Sequence, residues 1–302
     1  MAEPPRLFDR QMHRSRLRRA ARGYEAFLKT RAADDIAQRL AAVNRRFSSA
    51  VDLGARTGAL AHALAAGEAA DKVGWLVQTD LSAAMLARAK GPRVVADETR
   101  LPFRENSVDL IVSALALHWV NDLVGALIQI RRALKPDGLF LGALLGGATL
   151  TELRQCLTEA EIEHSGGAGP RVSPFLDAYD GAALLQRAGF ALPVVDVDAV
   201  RVRYDHPLEL MADLRAMGET NVLVDRPRRP LTRSILQRAN ELYFQRFGEA
   251  DGRIVATFEI VTLTGWSPHP GQQQPLAPGT ARMRLADALG GKESSAGERA
   301  GR

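Results

Sequence analysis

A glycine-bearing turn between an apolar run and a helix is the first segment that could do chemistry. Val51–Leu53 ends a predicted strand, and Gly54 and Gly58 bracket the turn into a predicted helix. In an open α/β sheet, ligands bind beyond the carboxyl ends of the strands, and glycine lets the backbone approach them closely. A nicotinamide-dinucleotide fingerprint would require glycine where Arg56 and Ala59 stand, so that class is excluded. A ligand-free turn remains the alternative.

Acidic residues stand at the ends of three predicted strands. Asp52 lies in the first strand, Asp80 closes the second, and Asp97 and Glu98 follow the third. A carboxylate there can accept charge-assisted hydrogen bonds from vicinal ribose hydroxyls, and Asp80 follows the glycine turn by about 20 residues, as a ribose-binding acid does. The acid after the third strand suits the amine of an adenine. Asp80 could equally cap the helix that follows it.

The end of the fourth strand carries the candidate catalytic residues. Ala114 closes that strand, and His118 and Trp119 follow at the edge that faces the pocket in this topology. Taken alone, His118 reads more readily as a structural histidine. The six histidines show no His-x-Asp or His-x-Glu pairing of the kind a non-haem iron site uses, so we expect no metal site. Cys156 is the single cysteine, which excludes an intramolecular disulfide.

These residues need a sheet that brings strand ends together, and apolar runs alternate with helical patterns along the chain. We predict an α/β fold with a seven-stranded, mostly parallel sheet, helices on both faces and a helical insertion before the last strand. The predicted strands are 51–53, 73–79, 93–96, 108–114, 139–145, 191–202 and 253–266. The predicted helices are 23–46, 59–66, 83–89, 122–134, 149–163, 180–187 and two within 205–252, with a turn at 135–138.

The domain prediction follows the same alternation. It comprises a basic N-terminal helical segment (1–47), a ligand-binding core (48–204), a helical insertion that acts as a substrate or partner lid (205–252), the last core strand (253–267) and a mostly disordered tail (268–302).

Positive charge is concentrated at the start of the chain. The formal net charge is +5, and residues 1–31 carry nine basic residues against three acidic ones. Such a segment could contact nucleic acid, an acidic partner or a membrane surface; we favour a solvated helical face whose arginine stems lie over the domain. No run approaches the roughly 18 apolar residues of a membrane span. We expect a cytoplasmic protein without nucleic-acid binding, with peripheral membrane contact left open.

The order of these motifs, each at the carboxyl end of a strand, resembles class I S-adenosylmethionine-dependent methyltransferases over residues 51–145. Asp52, Gly54 and Gly58 match the first motif, Asp-x-Gly-x-Gly-x-Gly, and Arg56 replaces its middle glycine. The resemblance implies a Rossmann-like fold and S-adenosyl-L-methionine as cofactor. It also implies a set of cofactor-binding residues: Asp52, Gly54, Gly58, Asp80, Leu81, Asp97, Glu98 and Ala114.

A closer resemblance covers nearly the whole chain. The segments that carry it include 8–10, 117–123, 134–138, 173–175, 217–221 and 265–266, and they are similar to the methyltransferase-like complex I assembly factors; the malonyl-carrier-protein methyltransferases are more distant. This resemblance implies a protein substrate, the quinone-proximal iron–sulfur subunit of complex I, and the mitochondrial matrix in a eukaryote. Three activities stay open: methylation of that protein, hydroxylation of its arginine, and a non-catalytic chaperone role, which Arg56 favours.

Overall fold

The chain folds around one twisted sheet in a computed structural model that describes residues 6–273 together with 287, 290 and 291. The strand order is β3-β2-β1-β4-β5-β7-β6. The strands are β1 Phe47–Leu53, β2 Val73–Asp80, β3 Arg93–Val95, β4 Val108–Ala114, β5 Leu134–Leu145, β6 Ala191–Tyr204 and β7 Ile254–Trp266. β1 to β5 pair in parallel, whereas β7 runs antiparallel to both β5 and β6. The predicted seven-stranded, mostly parallel sheet is confirmed.

Helices cover both faces of this sheet. They are α1 Arg10–Ala20, α2 Phe27–Ala42, α3 Ala59–Ala66, α4 Ala83–Leu86, α5 Leu123–Ala133, α6 Thr151–Ser165, α7 Ala178–Arg187, α8 Pro207–Met217 and α9 Arg233–Phe247. Alternate residues of a strand point to opposite faces. In β5, Leu139 and Leu141 therefore pack with α2, α6 and α9 on one face, while Phe140 packs with α5 and α7 on the other. The central strand β4 is buried along its whole length. Its two polar residues are hydrogen-bonded: Asp109 accepts from Ser49, and Ser113 donates to the carbonyl oxygen of Leu53.

Three local predictions were wrong. The turn predicted at 135–138 lies inside β5, where the register shifts between the pair Val108–Leu134 and the pair Leu110–Leu139. The helix predicted over 23–46 is shorter, Phe27–Ala42, and the helix predicted over 83–89 ends at Leu86. The predicted tail from 268 falls largely outside the described residues.

The insertion between β6 and β7 consists of α8, a loop over 218–232, and α9. His206 caps α8 by accepting a hydrogen bond from the backbone N–H of Leu208 at 3.1 Å, and Gly218 ends the helix with φ of +80°. That left-handed conformation favours glycine because a Cβ would be strained there. The turn directs the chain from α8 toward the carboxyl ends of the parallel strands, where Glu219 reaches the candidate site. No helix in the described part of the chain is long and apolar enough to span a membrane.

Candidate functional site

The glycine turn after β1 adopts the conformation that its sequence predicts. Gly54 has φ of +71° and Gly58 has φ of +91°, both in the left-handed region. A Cβ on Gly54 would lie 2.2 Å from the Cβ of Ala116, and one on Gly58 would lie 2.8 Å from Oε1 of Gln78. Both positions therefore require glycine. The space beside each is already filled by protein atoms, so the glycines serve close internal packing.

Arg56 lies at the tip of this turn and turns back into the protein. It has φ of +54°, and its side chain is only 1% exposed. Its backbone N–H donates to Asp80 Oδ2 at 3.0 Å, and its Nη1 donates to the same oxygen at 2.9 Å. Burial alone would lower the pKa of Arg56, but Asp80 and neighbouring groups raise it above its ordinary value. The guanidinium is therefore held charged against a fully buried carboxylate.

Asp80, the predicted ribose-binding residue, is thus engaged on both oxygens. Oδ2 receives Arg56, and Oδ1 accepts the backbone N–H of Ser82 at 2.8 Å at the start of α4. Asp80 is not the cap of α4, because the N-cap residue is Ser82 and no side chain caps the helix. Its carboxylate instead binds the backbone N–H of Ser82 while it faces the glycine turn. Leu81, the next predicted site residue, instead packs with Leu17 and Met85 under α1.

Lys29 of α2 provides a second buried cation. Its Nζ donates to the carbonyl oxygens of Gly54, at 2.5 Å, and of Ala114. Burial lowers the pKa of Lys29 to about 8, while Asp52 opposes this change. Burial raises the pKa of Asp52 to about 6 despite Lys29. Neither carboxylate oxygen of Asp52 has a hydrogen-bond partner among the described residues, so this acid acts on its surroundings chiefly through its charge.

Arg10 of α1 provides the third cation. Its Nη2 pairs with Asp97 Oδ1 at 2.6 Å and with Glu98 Oε2. Burial would raise the pKa of Asp97, but Arg10 and hydrogen bonds from Thr99 hold it below its ordinary value. The acids predicted to meet an adenine are therefore paired with a helix that sequence reasoning placed outside the core.

Glu219 joins the two candidate catalytic residues. Its Oε2 accepts a hydrogen bond from Trp119 Nε1 at 2.7 Å and lies 3.1 Å from His118 Nε2. Its Oε1 lies 4.0 Å from Nη2 of Arg56. Burial would raise the pKa of Glu219, but His118, Arg56 and Trp119 lower it, so the carboxylate is ionised. His118 and Trp119 hold this carboxylate in place, and the sequence motifs alone did not identify it.

The structure brings the predicted acids to one rim but fills the space between them. Arg56 covers Asp80, Arg10 covers Asp97 and Glu98, and Lys29 occupies the carbonyls of Gly54 and Ala114. Asp80 and Arg56 are both almost completely buried. An adenosyl group therefore cannot reach Asp80 unless Arg56 first moves. The residue types fit S-adenosyl-L-methionine, but this conformation does not.

A cavity of about 550 Å³ opens beside the rim, with Glu219 and Trp119 in its lining. Its wall consists of α6, α8, residues 171–175 and the insertion loop 226–231. Apolar side chains and arginines share the lining: Leu150, Leu153, Leu157, Val172, Phe175, Met211, Leu214 and Leu231, with Arg16, Arg171, Arg215, Arg226, Arg228 and Arg229. This volume lies within the usual range of ligand pockets.

Comparison with known proteins places this geometry in a family. Residues 51–142 match the family model described as a methyltransferase domain. The chain is 39% identical over 290 residues to the mitochondrial arginine-hydroxylase NDUFAF5 of Danio rerio, a match that covers 93% of this chain and 89% of that protein. The human protein of the same name is 39% identical over 290 residues, with 93% and 83% covered.

More distant matches agree on the fold. A malonyl-[acyl-carrier protein] O-methyltransferase of Methylovorus is 33% identical over 301 residues and covers 94% of both chains. Among solved structures, BH2331 of Bacillus halodurans, a protein assigned as a methyltransferase, matches with a TM-score of 0.54 and 16% identity, covering 78% of this chain and 99% of that one. At that identity it shows the fold alone. The chain therefore belongs to the class I methyltransferase-fold family that includes the NDUFAF5 arginine-hydroxylases, a fold family whose cofactor is S-adenosyl-L-methionine.

Proposed function

We propose that this chain is an enzyme that modifies an arginine side chain of a protein during assembly of respiratory complex I. The reaction is hydroxylation, in which O2 supplies one oxygen atom to the arginine and a two-electron reductant from the cell converts the other to water. The observation that carries this proposal is the ionised Glu219 in the lining of the cavity. A guanidinium is best recognised by a carboxylate, which can accept paired hydrogen bonds from it. The arginine-hydroxylase name of the 39% identical relatives supports this choice of substrate.

Glu219 has the geometry that such a role requires. Trp119 and His118 engage Oε2, which fixes the carboxylate and leaves Oε1 for another partner. The guanidinium of Arg56 already lies 4.0 Å from Oε1, so this position tolerates a guanidinium. In the proposed complex, Glu219 orients the target arginine, and the apolar lining excludes water around it.

Methylation is the second candidate. Its support is the match to malonyl-[acyl-carrier protein] O-methyltransferases over nearly the full chain, together with the acids that the structure gathers at the strand ends. When bound, S-adenosyl-L-methionine would supply an electrophilic methyl group. Asp80, Asp97 and Glu98 are the residues that would hold it, after release from Arg56 and Arg10. The same three ion pairs support a third possibility, a chaperone that keeps the fold without catalysis.

A mass comparison separates these activities. We propose the quinone-proximal iron–sulfur subunit of complex I as the substrate, in the cytoplasm of a bacterium or the mitochondrial matrix of a eukaryote. The subunit is isolated from cells with and without this protein, and the masses of its peptides are measured by mass spectrometry. A gain of one oxygen atom on an arginine supports hydroxylation, a gain of one CH₂ supports methylation, and equal masses support the chaperone.

Complementation with Glu219→Gln tests the role of the carboxylate. Glutamine keeps an oxygen that can accept from Trp119 but removes the charge that would hold a guanidinium. We expect the target arginine of the substrate subunit to stay unmodified, while the Glu219→Gln variant itself accumulates in cells to the wild-type level. Full modification by this variant would contradict the proposed role of Glu219.

A further inference from the structure

The arginines around the cavity differ in whether they already have acidic partners. Arg171 pairs with Glu161 at 2.5 Å, and Arg226 lies 3.5 Å from Asp9. Arg16 and Arg215 have no acidic partner within salt-bridge distance in the described part of the chain. The Nε of Arg16 is buried and forms no hydrogen bond. The cavity therefore contains positive charge that the folded chain does not itself neutralise.

These charges are close enough to disturb one another. Burial lowers the pKa of Arg16, and the positive charges of Arg19, Arg226 and Arg215 lower it further. Like charges held together at a partly buried site are unfavourable unless an anion joins them. Arginine is also the side chain best suited to bind carboxylates through two parallel hydrogen bonds. The arrangement thus points to an anionic ligand group at the Arg16–Arg215 side of the cavity.

The rest of the lining defines what accompanies that anion. Leu153, Leu157 and Leu214 form an apolar surface that would bury an apolar side chain, and Glu219 lies in the same cavity as a single ionised acid. A lone arginine approaching Glu219 would meet the repulsion of the surrounding guanidinium groups. An acidic neighbour in the same peptide would offset this repulsion and bind the unpaired arginines.

We propose that this cavity is the substrate site and that it selects a peptide segment in which the target arginine has acidic and apolar neighbours. The inference rests on the proposed function and adds the substrate class. The acidic side chains bind Arg16 and Arg215, the apolar one packs on the leucines, and the target guanidinium meets Glu219. A membrane surface fits the cavity less well, because a flat array of headgroups cannot reach groups that line a concave wall.

Peptide binding to the full-length chain tests the proposal. One fluorescent peptide carries an arginine flanked by aspartate, glutamate and leucine, and a second carries lysine at the acidic positions. We expect the acidic peptide to bind at least about tenfold more tightly, as two charge-assisted contacts would give. The difference should shrink as salt is added. Equal binding of the two peptides would overturn the proposal.

Charge reversal provides the decisive variant. In the double variant Arg16→Glu/Arg215→Glu, the preference should invert, so that the lysine-bearing peptide binds more tightly. Inverted binding also demonstrates that the variant is folded. Arg132→Glu is the matched control, because Arg132 is exposed on α5, which covers the opposite face of the sheet. It should retain the wild-type preference. A double variant that keeps the wild-type preference would refute the assignment of Arg16 and Arg215.

Two further outcomes separate this inference from its alternatives. Binding to phosphatidylglycerol vesicles that depends on Arg16 and Arg215, without any peptide preference, would assign the arginines to a membrane and overturn the proposal. A clear peptide preference with no mass change on the proposed subunit would leave the peptide site standing and refute the proposed enzymatic function.

Discussion

Replacing Arg56 with glycine should destabilise the protein, although the wider family motif has glycine at this position. The substitution removes a guanidinium that is bound to the fully buried carboxylate of Asp80. Removing one partner of a buried ion pair typically costs about 3–5 kcal/mol. Glycine also relieves a backbone with φ of +54°, which returns about 1–2 kcal/mol. The expected net loss of unfolding free energy is therefore about 1–4 kcal/mol.

Urea denaturation of wild type and Arg56→Gly at neutral pH measures this loss. Asn106→Gly is the control, because Asn106 has φ of +52° in an exposed turn and forms no buried ion pair. It relieves the same left-handed backbone without breaking an ion pair, so it should stabilise the protein by no more than about 1–2 kcal/mol. If Arg56→Gly were as stable as wild type, the Arg56–Asp80 pair would contribute no more than the backbone relief of about 1–2 kcal/mol, and the reasoning would fail.

The same variant should gain cofactor binding. Once Arg56 is removed, the carboxylate of Asp80 becomes available to ribose hydroxyls, which the wild-type ion pair prevents. A ligand at a hundred times its Kd stabilises a folded protein by about 2.7 kcal/mol. S-adenosyl-L-methionine should therefore raise the Tm of Arg56→Gly more than that of wild type, and Arg56→Gly/Asp80→Ala should lose the effect. An equal increase in wild type would show that Arg56 does not close the site.

Three other perturbations follow from buried charges. Burial raises the pKa of Asp52 to about 6. Its contribution to the free energy of unfolding is therefore full below about pH 4, near the pKa of the unfolded chain, and is lost as pH rises through about 6. In urea unfolding, the wild type should lose about 3 kcal/mol across this range that Asp52→Asn does not lose. Burial raises the pKa of Cys156 to about 11, so native protein should react slowly with a thiol reagent at pH 8 and fast in urea. Arg10→Gln should increase hydrogen exchange in α1, because it breaks the pairs with Asp97 and Glu98.

The sequence predicted correctly those helices and strands whose limits are marked by residues within the element itself. The limits of β4 and α3 agree with the prediction, since β4 is a mostly apolar run and α3 a run of helix-forming residues. The turn predicted from Pro136 and Gly138 was wrong, because hydrogen bonds to a segment distant in sequence determine the conformation of these residues. Asp137 donates its backbone N–H to Ser267, and Ser267 donates to Gly138. Such long-range hydrogen bonds leave no periodicity near 135–138.

The acids of the site were predictable because they follow strands in one sheet, but their partners were not. Arg10, Lys29 and Glu219 come from α1, α2 and the loop after α8, and only tertiary folding brings them to the rim. The segment 217–221 stood out by resemblance without revealing that Glu219 contacts His118 and Trp119.

The basic surplus of residues 1–31 shows the same difficulty. It was interpreted as a solvated face, yet Lys29 is buried beneath the glycine turn, Arg10 holds two acids of the rim, and Arg16 lines the cavity. Composition counts charges without locating them. At least part of the positive charge at the start of the chain therefore belongs to the site itself, where it neutralises acids that a cofactor would otherwise meet. A ligand that binds these acids must displace the internal cations from them. Its binding free energy is therefore the free energy of its own contacts minus the free energy of the ion pairs that it breaks.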